Sequence, residues 1–142
     1  MFRLTRLAVP LIPLALWAGA CAGTSDGGSA DEPPAEGPDL ADVEFHDATG
    51  LEEVVVAVRD NTFDEQYLEV KAGTTITFEN IGRTDHNVYP VADGTFPPID
   101  ATELEPDEAA AVTFDEPGDV SYYCTLHGTT TKGMVGAVRV VA

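Results

Sequence analysis

The chain has 142 residues, enough for one domain with a hydrophobic core and some additional non-globular sequence. Hydrophobic residues make up 44% of it, so the chain is not disordered throughout. It contains 25 Asp and Glu against 7 Lys and Arg, which gives a net charge of -18. This balance argues against nucleic acid as a partner, because binding to phosphates needs a basic surface.

Residues 1–20 have the features of a secretory signal peptide. Arg3 and Arg6 give a positive start, and an apolar run from 7 to 20 follows them. That run is 14 residues long and contains Pro10 and Pro13, so it is too short and too interrupted to span a bilayer as a helix. We therefore predict that the protein is exported and that this segment is removed.

The residues Ala18-Gly19-Ala20 directly precede Cys21 and resemble the lipobox of bacterial lipoproteins. The resemblance implies cleavage before Cys21 and lipidation of its thiol and new amino terminus. Lipoproteins usually have Leu where this chain has Ala18. Ordinary signal cleavage, with Cys21 discarded or left free, is the alternative. A lipid on Cys21 would anchor the protein to the outer face of the cell membrane, or to the periplasmic side.

Residues 21–50 are predicted to form a flexible, acidic and Pro-rich linker. The part from 22 to 29 is small and polar, and the part from 31 to 38 is acidic and rich in proline. Such a tether would hold a domain off a membrane surface and let it swing. We interpret His46, near its end, as a solvated side chain and not as a metal ligand.

Residues 51–142 contain short β-rich segments separated by Gly, Pro, Asn and Asp. Helical periodicity is limited to one possible turn within 103–111. The spacing predicts an all-β domain, an antiparallel sandwich with Greek-key connections. The predicted strands are 54–58, 67–71, 74–79, 86–89, 111–114, 120–124 and 135–141.

Four residues of this domain carry the donor atoms of a soft-metal site. Two residues separate Cys124 from His127, Met134 follows seven positions later, and His86 lies upstream. One thiolate, two imidazoles and one thioether are the ligand set of a mononuclear type 1 copper site, in which the thioether is a weak axial ligand. Calcium and magnesium prefer oxygen ligands, so the donor set predicts copper.

The count of two cysteines supports the metal site. If Cys21 is lipidated, Cys124 has no disulfide partner, and an unpaired thiol in an oxidising compartment is a liability unless a metal holds it. A disulfide between Cys21 and Cys124 is the alternative, and it would tie the linker to the core.

Two motifs around these residues resemble those of the cupredoxins, the plastocyanin and amicyanin family. Residues 80–88, Asn-Ile-Gly-Arg-Thr-Asp-His-Asn-Val, are similar to the first-histidine motif. Residues 118–127 are similar to the Cys-x-x-His motif that follows a Pro-Gly turn. The resemblance covers 51–142 and implies a cupredoxin-like sandwich with one type 1 copper ion. The implied ligands are His86, Cys124, His127 and Met134.

The resemblance also implies roles for residues next to the metal ligands. It implies that Asn87 and Thr125 tie the two ligand loops together. Six residues separate His127 from Met134, where plastocyanin-like proteins usually have four. Met134 could instead be a core residue, with a backbone carbonyl as the axial neighbour of the metal.

The function that follows from this resemblance is that of a membrane-tethered one-electron carrier, and not an enzyme. Multicopper enzymes need further histidines, and His46 is the only other one. Copper binding for storage or delivery is the alternative. We expect a redox protein such as a cytochrome c or a terminal reductase or oxidase as partner. We expect electrons to pass through the ring edge of His127, inside an apolar patch formed by Leu126, Phe96, Pro97, Pro98 and Met134.

Overall fold

The computed structural model describes residues 35–142, which form β-strands and one short 3-10 turn, Ala101–Glu103. The signal peptide, Cys21 and the first part of the predicted linker lie outside the described residues. No helix in the described part of the chain is long and apolar enough to cross a membrane. The strands are β1 His46–Asp47, β2 Glu53–Arg59, β3 Thr62–Phe63, β4 Tyr67–Lys71, β5 Thr74–Asn80, β6 Tyr89–Pro90, β7 Ala109–Phe114, β8 Gly118–Gly128 and β9 Gly133–Val141.

The strands form a sandwich of two sheets, which confirms the predicted all-β fold. One sheet has five strands in the order β1-β4-β9-β8-β6, and the other has four in the order β3-β2-β5-β7. The sheets are mixed and not purely antiparallel, because β1 with β4, β4 with β9 and β2 with β5 pair in parallel. Parallel neighbours arise here because the chain crosses between the sheets before it returns to a neighbouring position.

The core lies between the sheets and follows from the alternation of the strands. In β2 the side chains of Val54, Val56 and Val58 are buried, while the residues between them face outward. The rings of Phe63, Phe78 and Tyr122 meet edge to face in the centre, with centroids 5.0 to 6.0 Å apart. This packing fixes the β8 strand that carries Tyr122 and Cys124 on its inner face.

Most predicted strands are present, and the exceptions lie near the metal-ligand motifs. The strand predicted at 86–89 is reduced to Tyr89–Pro90, with Val88 making a single bridge to Ile99. His86 therefore lies in a loop. Its side chain is turned inward, toward Cys124 and His127. The β8 strand is longer than predicted and continues past Cys124 to Gly128.

Part of the predicted linker packs on the outer face of the five-stranded sheet. The Phe45 ring lies 5.9 Å from the ring of Tyr67 and 4.0 Å from the guanidinium carbon of Arg139. His46 pairs with β4 directly after it. Ala137, on this outer face, is fully buried. Contacts with the sandwich thus begin before Leu51, because an aromatic side chain at position 45 finds an aromatic ring and a cation there.

Candidate metal centre

His86, Cys124 and His127 meet at one end of the sandwich. Their potential ligand atoms all lie within 4.8 Å of one another. The Nδ1 atom of His86 is 3.8 Å from the sulfur of Cys124, and the Nδ1 atom of His127 is 3.6 Å from it. The two imidazole rings have centroids 4.7 Å apart and are tilted by 51°. The structure thus brings together three donor atoms from two separate segments of the chain.

Cys124 is placed by β8. Tyr122 and Cys124 are alternate residues of this strand and face the core, where both are completely buried. A side chain at Gly136 would collide with the ring of Tyr122, so this glycine lets the ring lie flat on β9. The regular pairing of β8 with β9 is interrupted between Tyr123 and Gly128. At this irregularity the segment that holds Cys124 and His127 departs from regular β-pairing with β9.

His86 is placed by the loop between β5 and β6. Its backbone N–H donates to the carbonyl of Leu104 at 3.2 Å, and its side chain is completely buried. Burial lowers the pKa of His86, and neighbouring His127 lowers it further, while Asp60 and Asp85 act in the opposite direction. The lowered pKa favours the neutral ring, which is the form that binds a metal.

His127 differs from the other two residues in its access to solvent. It is half-buried, whereas His86 and Cys124 are completely enclosed. Leu126 beside it is 53% exposed. One imidazole of the cluster thus reaches the surface of the domain, next to an exposed apolar side chain.

Met134 is buried at the start of β9, with 1% of its surface exposed. A hairpin brings it there: Gly128 pairs with Gly133, and the N–H of Thr129 donates to the carbonyl of Lys132 at 2.8 Å. A Cβ on Gly128 would lie 2.7 Å from the backbone nitrogen of Met134. The hairpin therefore accommodates the six residues between His127 and Met134. It places the backbone of Met134 next to Gly128, at the end of β8. Its role as axial ligand stays a prediction.

Asn87 connects the two ligand-bearing segments, as the family resemblance implied. Its amide nitrogen donates to the hydroxyl of Thr125 at 2.8 Å, and its amide oxygen accepts from the backbone N–H of Thr125 at 2.8 Å. Asn87 is buried. The residue after His86 is thus bonded twice to the residue after Cys124.

Thr84 and Asn80 are two further polar residues beside His86, for which the sequence predicted no role. The hydroxyl of Thr84 lies 3.3 Å from Nε2 of His86. Asn80 is completely buried and bonds the carbonyls of Thr84 and Leu104. A hydroxyl residue two positions before the histidine is a weak signal, since exposed threonines are common.

The predicted apolar patch around His127 is wrong for two of its members. Phe96 is buried and packs against Phe114, with ring centroids 5.5 Å apart and planes tilted by 58°. Met134 is buried as well. Pro97 and Pro98 line a groove of about 940 Å³ beside β7 and the start of β8, whose lining does not include His127. Core packing of the larger side chains outweighed their placement on a surface.

The donor set fits copper. The cluster offers one thiol and two imidazole nitrogens, with no carboxylate among its members. Within the described residues Cys124 is a free, buried cysteine. Soft sulfur and imidazole nitrogen at this spacing suit a type 1 copper ion and disfavour hard cations.

Residues 52–141 match the family described as copper binding proteins, plastocyanin/azurin family. The chain belongs to this family. The cofactor of the site is a type 1 copper ion, as the donor set predicted.

Several members of the family are similar to this chain in sequence. The chloroplastic plastocyanin of Hordeum vulgare is 35% identical over 85 residues, which are 55% of this chain and 54% of the relative. The plastocyanin of Mercurialis perennis is 38% identical over 80 residues, 50% of this chain and 79% of the relative. The chain thus spans about half the length of the first of these relatives.

Solved structures give the same picture. A reduced amicyanin mutant covers 77% of this chain with 28% identity and a TM-score of 0.53, and 95% of its own chain is matched. An oxidised amicyanin mutant matches the same share with 27% identity and a TM-score of 0.52. A copper-containing nitrite reductase from Thermus scotoductus matches 63% of this chain over 22% of its own length, with 28% identity and a TM-score of 0.50. The amicyanin match covers 95% of that chain, whereas the nitrite reductase match covers 22% of the reductase.

Proposed function

We propose that this protein is a one-electron carrier that binds one copper ion through His86, Cys124 and His127, with Met134 as the axial ligand. The observation that carries the proposal is the enclosed thiol with two imidazole nitrogens around it, all within 4.8 Å. Copper bound there would exchange one electron between Cu(I) and Cu(II). The match to amicyanin in both a reduced and an oxidised state supports this role.

The protein would keep the ligand geometry nearly constant during electron transfer. Cys124 is held by the packed core beneath β8, and His86 by the backbone bond to Leu104. The double hydrogen bond from Asn87 to Thr125 joins the two segments. A site held from several directions needs little rearrangement when its charge changes.

Electrons would enter and leave through His127. Its ring is the half-buried member of the cluster, and the other two members are enclosed. Leu126 gives a small apolar contact beside it, which suits brief docking of a redox partner. The net charge of -18 would steer a positively charged partner toward the protein. We propose a cytochrome c or a terminal reductase or oxidase in this role.

We further propose that the carrier is a lipoprotein, with a lipid on Cys21 that anchors it outside the cytoplasm. The sequence Ala18-Gly19-Ala20-Cys21 and the short apolar run before it support the anchor. The chain from Cys21 up to Phe45, which packs on the sheet, would then tether the domain to the membrane.

The copper site is tested by the visible spectrum of the full chain loaded with Cu(II). We expect an intense thiolate-to-copper band that disappears on reduction and is absent in Cys124→Ser. Cys21→Ser is the matched control, because it removes the other cysteine and should keep the band. A colourless copper complex of the wild-type protein would contradict the proposal.

The rate of electron exchange and the release of Cu(I) separate a carrier from a storage or delivery protein. A carrier exchanges electrons rapidly and reversibly with a cationic cytochrome c, and the rate falls as salt screens the charges. A storage protein exchanges electrons slowly and gives up Cu(I) readily to a chelator.

The lipid anchor is tested by membrane fractionation. Cys21→Ser should leave electron exchange unchanged but move the protein from the membrane to the soluble fraction of a host that processes lipoproteins. Membrane retention of that variant would contradict the lipid anchor.

A further inference from the structure

The two imidazoles of the metal centre differ in what their second nitrogen contacts. Both rings turn Nδ1 toward the sulfur of Cys124, at 3.8 and 3.6 Å. The Nε2 atom of His86 lies 3.3 Å from the hydroxyl of Thr84. For Nε2 of His127, residues 35–142 provide no such partner. The enclosed ligand is therefore held at both nitrogens, whereas the surface ligand is held at one.

The position of Thr84 is fixed by buried Asn80. The amide nitrogen of Asn80 donates to the carbonyls of Thr84 and Leu104, both at 2.9 Å. Its amide oxygen accepts from the N–H of Gly82 at 2.9 Å. Leu104 also accepts from the N–H of His86, so one completely buried amide organises the backbone on both sides of the Thr84–His86 contact. The amide of Asn80 thus uses both of its N–H groups and one oxygen lone pair in bonds to backbone groups around this contact.

Asp60 holds the same loop from the other side. Its carboxylate accepts from the backbone N–H of Arg83 at 2.6 Å and from the Arg83 guanidinium at 3.3 Å. A Cβ on Gly82 would lie 2.8 Å from that carboxylate and 3.2 Å from the amide oxygen of Asn80. The loop is therefore closely packed between the carboxylate of Asp60 and the amide oxygen of Asn80.

We propose that Thr84 is a positioning residue for the copper ligand His86. When Nδ1 binds the metal, Nε2 must carry the ring proton, so the Thr84 hydroxyl accepts a hydrogen bond from Nε2–H. This bond sets the tautomer and the orientation of the ring. It also raises the basicity of the ligand nitrogen, which favours Cu(II) over Cu(I) and lowers the reduction potential. The inference rests on the copper site and is independent of the redox partner.

The test compares Thr84→Val and Thr84→Ser in the copper-loaded full chain. Valine has nearly the shape of threonine but cannot accept the bond, so we expect a higher reduction potential and Cu(II) binding that is about tenfold weaker or more. Serine keeps the hydroxyl, so its potential should stay close to that of the wild type. Thr75→Val is the matched control, because it removes a threonine hydroxyl that pairs with Thr113 on the outer surface.

A second readout does not depend on substitution. In the Cu(I) protein, nitrogen NMR should show a proton on Nε2 of His86 that exchanges more slowly than the proton on Nε2 of His127. Equal exchange of the two protons would overturn the proposal. So would a Thr84→Val potential equal to that of the wild type, or an equal shift in Thr84→Ser, which would assign the effect to packing. Failure of the wild-type protein to form a coloured copper site would instead contradict the proposed function.

Discussion

At the scale of single residues, the centre depends on side chains that do not bind the metal. Both the nitrogen and the oxygen of the Asn87 amide form hydrogen bonds with Thr125, each 2.8 Å long. The bonds join the residue after one ligand to the residue after another, although the two are 38 positions apart. A short polar side chain thus joins the segments that carry His86 and Cys124.

Asn87→Ala should lower the free energy of unfolding of the metal-free protein by about 1–3 kcal/mol. The substitution leaves the N–H and hydroxyl of Thr125 without their partner in a partly buried place, which costs more than the lost bonds alone. Urea unfolding measures the change. Thr125→Ser is the control, because it retains both groups and should change stability much less. Equal stability of Asn87→Ala and the wild type would show that the tie does not hold the apo site.

Residue identity made some of these roles predictable and left others hidden. The ligand types follow from donor chemistry, so His86, Cys124 and His127 were predicted and the structure brings them together. Thr84 was not predicted, because its contact with His86 depends on a loop conformation set by Asn80 and Asp60. A backbone path of this kind has no periodic signal in the sequence.

At the scale of elements, the hairpin between β8 and β9 sets the position of Met134. Its strands continue beyond the ligand histidine to the pair Gly128 and Gly133. Gly133 has φ +84°, and a Cβ there would lie 2.8 Å from the carbonyl oxygen of His127. Glycine is required at this position both for its backbone angle and for the close approach of a ligand residue.

Gly133→Ala should strain the hairpin and disturb the copper site. We expect a loss of about 1–3 kcal/mol in unfolding free energy, since a non-glycine residue must adopt the left-handed region. We also expect a changed thiolate-to-copper band and electron paramagnetic resonance spectrum, because the carbonyl of His127 must move. Gly50→Ala is the control, as a Cβ there meets nothing within 4 Å. Identical spectra for wild type and Gly133→Ala would contradict this account of the hairpin.

The strands themselves were largely predictable, and their pairing was not. Alternation along β2, β4 and β5 is a local property of the chain, so those strands lie where they were predicted. The parallel pairing of β4 with β9 joins residues seventy positions apart, such as Tyr67 and Ala137. Such pairing is decided by how the connections cross between sheets, which the pattern within each strand does not encode.

At the scale of the whole molecule, the dominant feature is its negative charge. Among the described residues, three arginines form ion pairs: Arg59 with Asp64, Arg83 with Asp60 and Arg139 with Asp119. Exposed pairs of this kind contribute little, about 0–1 kcal/mol each. A net charge of -18 therefore leaves a self-repulsion that these pairs do not cancel.

Added salt should raise the thermal midpoint of this protein. Raising sodium chloride from about 10 mM to about 1 M shortens the screening length from about 30 Å to about 3 Å, which weakens repulsion between distant carboxylates. Calorimetry or circular dichroism at fixed pH measures the effect. Substituting four acids that flank β7 (Glu105→Gln, Glu108→Gln, Asp115→Asn and Glu116→Gln) should reduce the salt response. A midpoint that falls with salt would mean that the ion pairs outweigh the repulsion.

The chemistry and the class of this protein could be inferred from its residues alone. Donor identity gave the copper ligands, strand alternation gave the all-β domain, and both are properties of residues and short segments. The mixed sheets, the burial of Phe96 and Met134, and the packing of Phe45 on the five-stranded sheet became apparent only in the folded domain. So did the contact between the Thr84 hydroxyl and the enclosed imidazole of His86. These features depend on contacts between segments that are distant in sequence or held by loop conformation, and such contacts exist only once the sheets have packed.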